Sequence, residues 1–128
     1  MTQDLTLLVW SVALTLVQSV IAVLGAMQEV GLPAVAGNRE NLPPIAGWAD
    51  RAARAHRNML ESLVLFAALV LVAQVAGRAN AMTARGAEIF FWARVIYVPV
   101  YLIGIPWVRT GVWGVSIVGL AMIFLQVV

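Results

Sequence analysis

Four long apolar segments constrain this chain more than any other feature of its sequence. They run at about residues 5–27, 48–76, 85–108 and 112–128. A transmembrane helix needs ~20 apolar residues, so four of them use most of the 128 positions. Only 11% of the residues are charged, against about a quarter in soluble domains. We therefore predict an all-α integral membrane protein whose single domain, residues 1–128, is an up-down four-helix bundle.

The connections between these segments are short and marked by helix-breaking residues. Glycines, prolines and asparagines between residues 30 and 47 predict a loop, the longest in the chain, and residues 77–84 predict a turn. The third segment contains Pro99 and Pro106, each of which lacks a backbone donor and is expected to interrupt or kink the helix.

The arginines are distributed unevenly between the two predicted ends of the bundle. One end has the larger set: Arg39, Arg51, Arg54, Arg57 and Arg109. The opposite end has only Arg78 and Arg85. Cytoplasmic loops are enriched in arginine and lysine, so the larger set is expected to face the cytoplasm and both termini the outside.

The chain contains no cysteine. This excludes disulfides, thiolate metal ligands and a nucleophilic cysteine, and we expect no metal site. Any thiol chemistry would therefore have to use a thiol brought by a substrate.

A polar stripe marks the start of the second segment. At 100° per residue its members share roughly 80° of arc on one helix face. The stripe consists of Arg51, Arg54, Asn58 and Glu61, with Arg57 at its edge in i, i+4 spacing to Glu61. Arginines at a helix end commonly anchor lipid headgroups, and Asp50 with Arg54 fits a surface pair. Glu61 at the apolar boundary instead favours either a ligand site or a salt-bridge network between subunits, and the stripe alone leaves both open.

The third segment has a second polar face, formed by Arg94, Tyr97 and Tyr101 at i, i+3 and i+7. An unpaired arginine within a membrane helix costs about 2.5–3.5 kcal/mol, so Arg94 is expected to have a partner. The two candidates are Glu61 and an anionic ligand.

The run from Arg51 to Glu61 resembles the signature of the MAPEG family, the membrane-associated proteins in eicosanoid and glutathione metabolism. The resemblance extends over nearly the whole chain, and residues 37–44 followed by this run are similar to bacterial members. It implies homotrimers in a membrane, here a bacterial inner membrane, with glutathione as co-substrate between subunits near the cytoplasmic surface. The residues it implies for glutathione binding are Arg51, Arg54, Asn58, Glu61, Arg94, Tyr97 and Tyr101, with Arg109 stabilising the thiolate.

The resemblance implies a glutathione transferase or peroxidase that acts on lipophilic electrophiles or lipid hydroperoxides. Its partners would be membrane lipids, glutathione, a lipophilic substrate and further copies of the chain, and no nucleic acid. Ser62 stands where some eicosanoid-synthesising members have tyrosine, which argues against leukotriene synthesis. The alternative is a non-catalytic scaffold of the same fold that binds lipids or small molecules. A four-helix drug exporter fits poorly, because residues 5–27 contain no carboxylate.

Overall fold

The computed structural model describes residues 1–37 and 45–128, and these ranges form helices without any strand. The helices are α1 (Gln3–Val30), α2 (Leu32–Ala36), α3 (Gly47–Val75), α4 (Ala81–Ile103) and α5 (Pro106–Val127). Four of them, α1, α3, α4 and α5, are long and apolar enough to cross a membrane. The predicted all-helical, multi-pass membrane fold is thereby confirmed.

The predicted loop at residues 30–47 is wrong in part, because α2 lies within it. Gly31, at a φ of 87°, ends α1, and Pro33 stands in the first turn of α2. Proline is tolerated there because the first N–H groups of a helix have no acceptor within it. Residues 38–44, which include Arg39 and most of the segment similar to bacterial members, lie outside the described ranges.

The boundary between α4 and α5 also differs from the prediction. Gly104 ends α4 in the left-handed conformation (φ 87°, ψ 37°), and Pro106 begins α5 instead of interrupting the preceding helix. Pro99 does lie inside α4. Arg109 therefore belongs to the first turns of α5 rather than to the connection after the third span.

Asn80 starts α4 four residues earlier than the sequence pattern predicts. Its Oδ1 accepts hydrogen bonds from the backbone N–H groups of Met82 (2.9 Å) and Thr83 (3.0 Å), while Thr83 Oγ1 accepts from the N–H of Asn80 (2.9 Å). This reciprocal capping box satisfies donors that the first turn leaves free.

We expect Asn80→Ala to lower the free energy of unfolding by about 1 kcal/mol, because the cap is lost. Chemical unfolding in detergent, followed by circular dichroism, measures the change. Asn80→Ser retains a capping oxygen and should recover most of the loss. An Asn80→Ala variant as stable as the wild type would contradict the capping role.

The helices bury an apolar cluster between α3, α4 and α5, in which Phe66 stacks on Phe90 with ring centroids 4.2 Å apart. By contrast, α1 buries its polar and small residues. The buried set is Asp4, Ser11, Thr15, Gln18 and Gly25. Since lipid is as apolar as leucine, a membrane helix gains little by burying leucine and can place small and polar residues at its helix contacts.

Candidate functional site

Two arginines of the predicted stripe are engaged by neighbouring groups of the same chain. Arg54 Nε lies 2.8 Å from Asp50 Oδ2, and with 61% of its side chain exposed this is a surface pair. Arg51 Nε donates a hydrogen bond of 2.8 Å to the carbonyl oxygen of Leu102. This carbonyl lies in the last turn of α4, where no intrahelical donor remains, so Arg51 ties the start of α3 to the end of α4.

We expect Arg51→Met to lower the free energy of unfolding by about 1–2 kcal/mol, because it leaves the Leu102 carbonyl without its charged donor. Denaturant titration in detergent measures this. Arg57→Met is the matched control on the same helix, since Arg57 is exposed and makes no hydrogen bond within residues 1–37 and 45–128. Equal stability of the two variants would show that the bond contributes nothing.

Arg94 is almost fully buried, with 1% of its surface exposed. Its Nη1 donates a 2.8 Å hydrogen bond to Asn58 Oδ1, and its guanidinium carbon lies 4.2 Å from the centroid of the Tyr97 ring. Its Nε and Nη2 have no hydrogen-bond partner in the part of the chain that the structure describes. Arg94 therefore has one neutral acceptor and one aromatic face, but no described anion.

Of the two candidate partners of Arg94, Glu61 does not pair with it within a single protomer. Glu61 is exposed, and neither Arg94 nor Arg57 forms an ion pair with it among the described residues. Asn58 lies one turn before Glu61 on α3 and reaches Arg94 instead. The i, i+4 spacing of Arg57 and Glu61 permits a salt bridge, but on an exposed surface such a pair gains little.

A small cavity opens beside this buried arginine. Its volume is about 180 Å³, and its walls come from α3, α4 and α5. The lining residues are Asn58, Tyr97, Arg109, Thr110 and Trp113. Tyr101 stands next to the cavity, because its ring lies 4.7 Å below the Arg109 guanidinium carbon and 5.4 Å from the Tyr97 ring. The structure thus brings together Asn58, Arg94, Tyr97, Tyr101 and Arg109, whereas Arg51, Arg54 and Glu61 do not line the cavity.

Two lining residues, Thr110 and Trp113, are absent from the sequence-based set. Trp113 follows Arg109 at i+4 and so lies on the same helix face, one turn further along. The sequence pattern missed it because residues 110 and 111 were expected to separate two helices. Had Pro106 been read as the first residue of a helix, the same spacing would have identified Trp113.

The chemistry of the cavity favours an electron-rich group. Its polar lining consists of an arginine guanidinium, two hydroxyls and an asparagine amide, and none of the described carboxylates takes part. The Thr110 hydroxyl donates to the carbonyl oxygen of Pro106 (3.0 Å), so the donors left for a ligand are those of Arg109, Tyr97 and Asn58. Such donors bind thiolates, carboxylates or other anions. The Trp113 indole adds an apolar wall. Among residues 1–37 and 45–128, no group of three or more histidine, aspartate and glutamate side chains is placed to hold a metal ion.

A second opening lies on another face of α3, where His56 points almost opposite to Asn58. It has a volume of about 350 Å³ between α1, α2 and α3. Ser19, His56 and Arg57 contribute polar groups to its lining. Val23 and Leu60 belong to its apolar walls. A protomer therefore presents two different concave surfaces on either side of the same helix.

Comparison with known proteins identifies one match. The model of the MAPEG family matches residues 5–128, nearly the whole chain. Neither the search of curated proteins nor the search of solved structures finds a match.

Proposed function

The chain belongs to the MAPEG family, and we propose that it is a membrane-bound glutathione transferase or peroxidase that acts on lipophilic electrophiles or lipid hydroperoxides. One observation carries the proposal. The cavity places the Arg109 guanidinium beside the donors of Asn58 and Tyr97, within helices that are apolar enough to span a bilayer.

Arg109 is proposed to activate the sulfur of glutathione. A free thiol has a pKa of about 8.5, so most of it is protonated at neutral pH, and the thiolate is the nucleophile. A fixed cation and hydrogen-bond donors stabilise the thiolate over the thiol. The thiolate then forms a bond to an electrophilic carbon while the leaving group departs with its electron pair. With a hydroperoxide, the thiolate attacks the terminal oxygen, the O–O bond breaks, and the alkoxide leaves and takes up a proton to become an alcohol. A second glutathione then reacts with the resulting sulfenic acid to give the disulfide and water.

The remainder of the tripeptide requires more room than this cavity offers. Small-molecule sites usually enclose about 300–1,000 Å³, and the cavity holds about 180 Å³. We propose that glutathione extends onto a neighbouring copy, whose second concave surface faces this one in a homotrimer. Two different surfaces that meet around a ring form the heterologous contacts of a cyclic oligomer. Arg51, Arg54 and Glu61 are proposed to bind the carboxylates and the ammonium group of glutathione at this junction.

The proposed site faces the cytoplasm. Arg51, Arg54, Arg57 and Arg109 belong to one end of the bundle, and Arg78 and Arg85 belong to the other. The positive-inside rule then favours an orientation with both termini outside, and we propose a bacterial inner membrane as the location.

A non-catalytic scaffold is the second candidate, and the bonds of Arg51 and Arg54 favour it. Both side chains are engaged within the chain, with Leu102 and Asp50. A ligand would have to compete for them.

Stopped-flow ultraviolet absorbance of the purified protein tests the proposal. On mixing with glutathione at neutral pH, we expect thiolate absorbance to rise, followed by turnover of an aryl halide or a hydroperoxide. If the protein neither ionises glutathione nor turns over either substrate, the enzymatic proposal fails. Binding of lipids or small molecules by such a protein would support the scaffold.

A further inference from the structure

Arg94 is enclosed behind the cavity rather than exposed in it. With 1% of its surface accessible and no place in the lining, it cannot touch a ligand held there without moving. It does touch two of the lining residues, Asn58 through a hydrogen bond and Tyr97 through its ring. Arg94 can therefore influence a ligand in the cavity through its contacts with Asn58 and Tyr97.

The hydrogen bond to Asn58 has only one possible direction. A guanidinium has five N–H donors and no acceptor, and it stays protonated in proteins. The Asn58 atom that lies 2.8 Å from Arg94 Nη1 must therefore be the amide oxygen. In the flipped amide, the NH₂ group of Asn58 would face the N–H groups of Arg94, and no hydrogen bond could form. No ambiguity of oxygen and nitrogen remains at this residue.

Because the oxygen is held by Arg94, the NH₂ group is the part of the Asn58 amide left for the cavity. This nitrogen has no hydrogen-bond partner within the described part of the chain. Asn58 is half-buried and lines the cavity next to Arg109. An asparagine amide can in general donate or accept a hydrogen bond, but towards the cavity Asn58 can only donate.

We propose that Arg94 is a positioning residue that orients the Asn58 amide as a hydrogen-bond donor to the anionic sulfur of the bound thiol. The inference rests on the proposed function. The ligand atom beside Asn58 must then be a hydrogen-bond acceptor, which we assign as the thiolate sulfur. The ammonium group of the ligand, which can only donate, cannot lie beside Asn58. Asn58 and Arg109 then act on the same atom, one by an oriented dipole and the other by its charge.

Asn58→Asp is the decisive variant, because it has the same shape and keeps an oxygen for Arg94. The second oxygen replaces the NH₂ donor with a negative charge. We expect the fraction of bound glutathione present as thiolate at neutral pH to fall at least tenfold, about one pKa unit. Thiolate absorbance measured across a pH series reports it. An unchanged or larger thiolate fraction would overturn the inference, since the Asn58 amide would then donate no hydrogen bond to the sulfur.

Arg94→Met separates positioning from direct action. In the wild type, we expect this substitution to lower the thiolate fraction severalfold, and in an Asn58→Ala background it should have a clearly smaller effect. Arg85→Met, an exposed arginine on the same helix, is the control and should leave the fraction unchanged. Equal effects of Arg94→Met in both backgrounds would mean that Arg94 does not act through Asn58.

A measurement without glutathione keeps the inference distinct from the proposed function. In the ligand-free protein, Asn58→Asp should unfold at the same or a higher temperature, because the new carboxylate pairs with Arg94. Adding Arg94→Met should lower that temperature, because it leaves a half-buried carboxylate without its partner. If the wild type fails to ionise glutathione while this pattern holds, the proposed function is lost and the Asn58 orientation stands. If Asn58→Asp alone unfolds earlier, the orientation is wrong.

Discussion

Replacing Arg109 with methionine is expected to lower kcat/KM for an aryl halide about 10²–10³-fold, the cost typical of removing one preorganised donor from a developing anion. Arg109 supplies the only full charge that the described residues give to the cavity lining, together with the weaker donors of Asn58 and Tyr97. Without it, the thiol should remain protonated at neutral pH. Steady-state kinetics and thiolate absorbance on the same preparation measure the two effects.

The loss should be specific to the chemistry. Arg109 is half-buried and its described contact is the ring of Tyr101, so its removal should change the unfolding midpoint little. Arg109→Lys keeps a charge and should retain part of the activity. Arg78→Met, at the opposite end, should behave as the wild type. Full thiolate formation in Arg109→Met would show that Arg109 does not stabilise the thiolate. Arg51 and Arg54 would then be the candidate cations.

Gly119→Ala is expected to lower the free energy of unfolding by ~1–3 kcal/mol, the usual cost of overpacking. A Cβ at Gly119 would lie 2.6 Å from the carbonyl oxygen of Gly86, and one at Gly86 would lie 2.7 Å from that of Gly119. Both partners are backbone atoms, so α4 and α5 would have to separate. The higher helix propensity of alanine, about 1 kcal/mol, offsets only part of the cost. Chemical unfolding in detergent measures the difference.

Gly114→Ala is the matched control on the same helix. A Cβ at Gly114 meets nothing within 4 Å, so this substitution should be neutral or slightly stabilising. Gly119→Ala should also reduce activity at temperatures near unfolding, since α5 supplies Arg109 to the cavity. If both variants are equally stable, the close approach of α4 and α5 does not limit stability.

Much of the fold was predictable because each span is a local property of the sequence. Apolar runs of sufficient length must form helices in a bilayer, since every backbone group has to be paired internally. Helix ends were predicted less well. Asn80 and Pro106 are both compatible with a turn and with a helix start, and only the hydrogen bonds that form around them decide between the two.

The candidate site was predictable only within each helix. Helical spacing placed Arg94, Tyr97 and Tyr101 on one face, and these residues do lie near one another. The partner of Arg94 was not predictable in this way. Asn58 and Glu61 are one turn apart on α3, so either could have met Arg94, depending on how α3 and α4 are shifted along each other.

The sequence by itself therefore determined that this is a four-span helical membrane protein and which residues share a helix face. Both follow from the length of apolar runs and from 3.6 residues per turn, which need no knowledge of neighbours. Only the tertiary structure decided that Asn58 meets Arg94, that Arg109 and Trp113 join Tyr97 at one cavity, and that Gly86 and Gly119 touch. Contacts between helices depend on their relative shift, rotation and closeness, which are set by the packing of many side chains at once.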